Sequence, residues 1–82
     1  MGPDDEIDPE GELAPFRQLA EIIAARIARG DWLPGRPMAS ETQLVQQYGL
    51  ARSTVRRTIA LLVERGLVYV VPQRGTYVSK DR

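Results

Sequence analysis

The chain is predicted to be a mainly α member of the α+β class, a winged helix-turn-helix of three helices followed by a C-terminal β-hairpin wing. Three observations carry this. A long amphipathic stretch comes first, two shorter helical periods separated by a glycine follow, and the last segment changes to β-branched strand chemistry broken by a turn. Eighty-two residues suffice for one such domain and leave no second core.

Taken in order, Pro15 is a favourable first helical residue, and apolar positions then recur at Phe16, Leu19, Ala20, Ile23 and Ile27, with Ile22 widening the stripe. Gly30 supplies a stop. Trp32 and Leu33 stand before the Pro34-Gly35 turn as a very short strand. The second helix opens at Ser40, where the hydroxyl and Gln43 three residues on form a capping-box pattern, and it closes at Gly49 after two turns. Its buried side is Leu44, Val45 and Tyr48. A third helix follows at once, with Val55, Ile59, Leu62 and Val63 on one face until Gly66. Two helices joined through Gly49-Leu50-Ala51 make a helix-turn-helix. Beyond Gly66, residues 67–71 and 76–78 have strand character and residues 72–75 have turn chemistry, so a hairpin closes the core that three short helices leave open.

The formal charge is zero, but its sign is segregated. Residues 1–12 carry six acids (Asp4, Asp5, Glu6, Asp8, Glu10 and Glu12) and no base, while residues 13–82 carry eleven bases against five acids. Two prolines, two glycines and one large aliphatic cannot offset the entropy of ordering the first segment. Residues 1–12 are therefore expected to be a disordered acidic tail and residues 13–80 the folded domain. The tail is read as a solvated extension that aids solubility; the alternative is a competitor that covers the basic face. Ten of the eleven bases are arginine, suited to phosphate and guanine, although a GC-rich genome gives the same bias.

Cysteine and histidine are absent, which removes disulfides, thiolate zinc sites and the commonest general base. No nucleophile and base are paired, so no enzyme, cofactor or metal site is expected. No apolar run is long enough for a membrane span and no signal peptide is visible, which makes a cytoplasmic, nucleoid-associated location the expectation.

In a helix-turn-helix the second helix of the pair enters the major groove and its first residues reach base edges. Here that segment is Arg52-Ser53-Thr54-Val55-Arg56-Arg57. With Val55, Ile59 and Leu62 inward, helical geometry turns Ser53, Arg57 and Ala60 outward, places Arg56 at the flank and leaves Arg52 at the entrance.

These pieces together resemble the N-terminal DNA-binding domain of the GntR (gluconate-repressor) class of bacterial transcription regulators. The matching segments are IARGDWLPG, ASETQLVQQYGLARSTVRRTIALLVERGLV and QRGTYV, and the resemblance covers Pro15 to about Val78. It implies a sequence-specific binder of duplex operator DNA acting as a regulator, with repression the expected sign. It further implies roles for Ser40 and Glu41 at the second helix start and for Arg52, Ser53 or Thr54, and Arg56 in the recognition helix. The wing tip, Gln73, Arg74 and Gly75, is implied to lie along the minor groove, although Gly75 can equally be the glycine that the turn demands. Periodicity adds Arg57 as a phosphate contact. Arg36, in the turn before the second helix, is either a phosphate contact or a solvated loop residue.

Three departures from the family pattern stand out. Met38-Ala39 replaces leucine-proline. Thr42 replaces a base-contacting arginine and cannot form a bidentate pair. Ala51 replaces the serine at the third helix's cap. Relatives of this class continue into an effector-binding, dimerising domain that is absent from this chain. One module is expected to bind weakly, and two copies on a pseudo-palindromic operator would restore affinity as a homodimer on DNA. A protein-interaction winged helix without DNA specificity is the alternative.

Overall fold

A computed structural model describes residues 1–80. Its elements are α1 (Pro15–Arg29), α2 (Glu41–Tyr48), α3 (Arg52–Glu64), β1 (Val68–Val71) and β2 (Gly75–Val78), the order of a winged helix-turn-helix. Pro15 opens α1, and Gly30, with φ 93°, takes the left-handed position that ends it. The capping box of α2 is formed as the sequence predicts. Ser40 Oγ accepts from the Gln43 N–H, and Gln43 Oε1 accepts from the Ser40 N–H. Gly49, with φ 65°, ends α2 and turns the chain into α3.

The core lies where α3 is packed by α1 on one side and by the hairpin root on another. Leu19, Ile23, Ile27, Leu44, Val55, Ile59, Leu62, Val68 and Val78 form one cluster. Met38 is buried in it, so the side chain that replaces the family's leucine still fills that place. Thr58 is fully buried, and its hydroxyl reaches the Phe16 and Thr54 carbonyls, each at 3.0 Å. The buried stripe of α3 is thus Val55, Thr58, Ile59 and Leu62. Val63, expected on that face, is 41% exposed because the stripe turns toward α1 through Thr58.

β1 and β2 pair antiparallel in the register Val68 to Val78, Tyr69 to Tyr77, Val70 to Thr76 and Val71 to Gly75. Val68 and Val78 face the core, and alternation puts Tyr69 and Tyr77 on the other face, stacked at 5.8 Å. The short strand expected at Trp32 and Leu33 forms later instead. Pro37 bridges Tyr77, the Val78 N–H donates to the Arg36 carbonyl and the Met38 N–H to the Thr76 carbonyl. Pro34-Gly35 makes the turn first, so the extended backbone available to cover the free edge of β2 begins after it.

Residues 1–12 also depart from expectation. The segment read as disordered is laid against α1 by specific contacts. Gln18, only 3% exposed, holds it with its side-chain amide. Oε1 accepts from the Asp8 N–H at 2.8 Å, while Nε2 donates to the Asp8 carbonyl at 2.7 Å and to the Leu13 carbonyl at 2.8 Å. Ile7 packs on the core and Asp4 forms a two-oxygen ion pair with Arg29. Composition alone misses this because the anchors are a single aliphatic and a polar residue on the partner helix. Among the described residues, no helix is long and apolar enough to cross a membrane.

The clamp has a measurable consequence. Gln18→Ala removes the three part-buried hydrogen bonds to the Asp8 and Leu13 backbone, and we expect it to lower unfolding free energy by about 1–3 kcal/mol. A urea or thermal melt checks this, and an unchanged midpoint is the result a free tail would give.

Candidate nucleic-acid interface

The exposed first turn of α3 sits beside the first turn of α2, and a single carboxylate joins them. Glu41 Oε1 accepts from Arg52 Nη1 at 2.7 Å, and both Glu41 oxygens lie within 3.2 Å of Arg56 Nε. Arg52 Nη2 also reaches Thr42 Oγ1 at 3.3 Å. The structure therefore brings together Glu41, Thr42, Arg52 and Arg56 from the two helices. The two guanidiniums, Arg52 first and Arg56 second, hold the Glu41 carboxyl below its ordinary range.

Pairing does not bury these arginines. Their side chains are 46% and 68% exposed, and among the described residues Arg56 pairs through Nε alone, with both terminal nitrogens free. Glu41 thus acts as a brace that restricts two long side chains while leaving N–H groups directed outward. Two terminal N–H groups of one guanidinium match the paired O6 and N7 acceptors of guanine. Ser53 is exposed beside them and Thr54 half-buried. Ser40 spends an oxygen lone pair on its cap, and its hydroxyl hydrogen remains available to an acceptor.

Other expected residues lie on separate patches. Arg57 is outward, as periodicity requires, but its guanidinium lies over the Phe16 ring at 3.8 Å from the centroid. It leans toward α1, apart from the Glu41 cluster. Arg36 is exposed on the extended segment that pairs with β2, at the root of the wing. At the wing tip the Arg74 N–H donates to the Val71 carbonyl and closes a turn with Pro72 second and Gln73 third. Gln73 has φ 64°, the single non-glycine positive φ among the described residues, in the position where such turns ordinarily place glycine. Gly75, at φ 119°, meets a backbone demand whether or not it also touches a ligand. Gln73, Arg74 and Gly75 are all exposed.

One residue escaped the sequence reading. Arg17 lies over the same Phe16 ring, at 5.2 Å from the centroid. No local signal marks it, since what sets it apart is that Arg57 of α3 shares the same ring.

The tail does not engage this surface. Its ion pair goes to Arg29, and among the described residues Arg17, Arg36, Arg57 and Arg74 form no ion pair. Arg29 also binds Asp31, which is held far below the ordinary carboxylate range by Arg29 and then Arg26. No group of metal-ligating side chains is assembled among the described residues.

Two expectations follow from this geometry. Ala51 occupies the cap of α3 in extended conformation, φ −64° and ψ 149°, with no side-chain bond to the first turn. Ala51→Ser supplies the missing acceptor and is expected to stabilise the domain by about 0.5–2 kcal/mol, read by chemical denaturation. Glu41 has a folded pKa depressed from 4.5, so its contribution is present above that value and is lost as pH falls through the lower folded value. Stability measured against pH should therefore decline less steeply on the acid side in Glu41→Gln than in the parent; parallel curves would show that the brace carries no linkage.

Residues 15–78 match the model for bacterial regulatory proteins of the gntR family. The chain is similar to the HTH-type transcriptional repressor NagR of Bacillus subtilis, 34% identical over 93% of this chain and 31% of that protein. It is also similar to the mannosyl-D-glycerate transport/metabolism system repressor MngR of Escherichia coli, 37% identical over 82% and 28% respectively. The chain thus spans less than a third of these relatives. Among solved structures, the DNA-binding domain of AraR in complex with operator ORE1 superposes with a TM-score of 0.80 at 37% identity, covering 89% of each chain. The element order and the match over residues 15–78 agree, and the chain belongs to the GntR family of bacterial regulatory proteins.

Proposed function

We propose that this domain reads duplex operator DNA as the DNA-binding part of a transcriptional repressor. The observation that carries the reading is the Glu41 brace, which presents Arg52 and Arg56 at the exposed N-terminus of α3. A helix of this kind lies in the major groove with its first turn at the base edges. Arg52 and Arg56 are its base contacts, and Ser53, Thr54 and Thr42 add single hydrogen bonds to bases or phosphates. Ser40, Arg36 and Arg57 contact the backbone. Gln73 and Arg74 extend the wing along the minor groove, where amide and guanidinium donors meet the acceptors of A·T pairs.

The likeness to the operator-bound domain of AraR supports this reading, as do the names of the repressor relatives. The family is one of regulatory proteins, and the chain is not an enzyme. One module of this size makes few phosphate contacts. Two copies arranged on a pseudo-palindromic site supply the affinity that one lacks, and the place of action is the cytoplasm, at the nucleoid.

The test is a binding-site selection followed by titration of Arg52→Ala and Arg56→Ala against the enriched duplex. Each substitution is expected to cost about 1–3 kcal/mol and to relax the preference at one base pair. Undiminished affinity in both variants would overturn the assignment.

A further inference from the structure

We propose that Arg17 and Arg57, both held on the Phe16 ring, form a second contact with the DNA sugar-phosphate backbone on the α1 flank of the recognition helix. This rests on the reading of α3 as the groove-binding helix and adds a site beside it.

The first argument is electrostatic. Arg26, Arg29, Arg52, Arg56 and Arg65 each have a carboxylate partner. Arg17 and Arg57 have none among the described residues, although their guanidinium carbons lie 5.2 and 3.8 Å from the centre of one ring. Two like charges are gathered at one ring, and their mutual repulsion is the cost of that arrangement. An anion at this place relieves that repulsion, and none is supplied by the first turn of α1, which has no acid.

Geometry supplies the second argument. Stacking engages the face of a guanidinium and leaves its N–H edge free for oxygen acceptors. It also restricts a flexible side chain before any ligand arrives, so less entropy is lost on contact. The platform is fixed, because Phe16 is 9% exposed and its carbonyl accepts from the buried Thr58 hydroxyl of α3.

Location selects the anion. Arg57 is one residue from Arg56 and one helical turn beyond Ser53, so the pair sits on the side of α3 adjoining its outward face. A helix that enters the major groove meets base edges with its outward face and phosphates at its flanks. The occupant is therefore a backbone phosphate of the duplex already engaged by α3.

The experiment is a salt titration of binding to a random-sequence duplex and to the duplex enriched by selection. The variants are Arg17→Gln, Arg57→Gln, the double variant and Arg17→Lys. Each Gln single variant is expected to reduce the slope of log affinity against log salt by about 0.9, with the double showing about twice the loss. Affinity for both duplexes should fall by the same factor, leaving their ratio unchanged, and Arg17→Lys should recover the slope because it keeps the charge. Matching thermal melts show that the fold is retained. Slopes equal to the parent's in the double variant, or a loss confined to the selected duplex, would overturn the proposal. Should the parent enrich no sequence, the base-reading assignment of α3 fails, while the slopes on random duplex still decide the backbone site.

Discussion

The structure depends on α3 satisfying two opposed demands along one short helix. Val55, Thr58, Ile59 and Leu62 must face inward to close a core made with α1 and the hairpin, and that choice fixes every other direction on the helix. With 100° between successive residues, burying this stripe turns Ser53, Arg57 and Ala60 outward and leaves Arg56 at the flank. The Thr58 hydroxyl sharpens the choice. By donating to the backbone of the first turn of α1, it ties the rotation of α3 about its own axis, and a rotated helix would lose that inter-helix bond and keep only the one to the Thr54 carbonyl within α3. The rigid placement of the arginines is thus a product of apolar packing on the far side.

Charge is organised on the same frame. Acidic groups that touch the body of the domain are taken up by α1 and its end, where Asp4 and Asp31 meet Arg29 and Glu21 meets Arg65. Glu41 is the exception at the proposed DNA face. A carboxylate there opposes a polyanion, but it converts two mobile side chains into a fixed pair of donors. Among the described residues Arg36, Arg57 and Arg74 form no ion pair and add positive charge on separate patches at α3, the wing root and the wing tip. Zero net charge therefore conceals a polar molecule with its positive side at α3 and the wing.

Much of this was legible in the sequence because the signals were local. Pro15, the Ser40 and Gln43 pair, Gly49 and the change of period after Gly66 each act within a few residues, and each marks its element correctly. Helical geometry turned Arg57 outward and put Arg56 at the flank and Arg52 at the entrance, whereas the roles expected of Arg52 and Arg56 came from the family resemblance. What escaped depended on contacts distant in the chain. Val63 was assigned inward because periodicity does not reveal that Thr58 is paired to α1. The short strand is formed at Pro37 and not at Trp32-Leu33, because Pro37 sits where an edge needs no donor and the pairing depends on the distant strand β2. The tail looked free because Gln18 reads as one more polar residue among apolar ones until its amide is seen spanning Asp8 and Leu13. Arg17 and Arg57 share the Phe16 ring, which is adjacent to one in the chain and distant from the other.

The central claim is that one face, made of the start of α2, the outward side of α3 and the wing tip, receives the duplex. Backbone amide chemical shifts followed during titration with duplex DNA test it most directly. The account predicts that changes concentrate at residues 40–42, 52–57 and 73–75 and at Arg17. Changes concentrated instead along residues 1–12 and the second half of α1, with the α3 start unmoved, would contradict it.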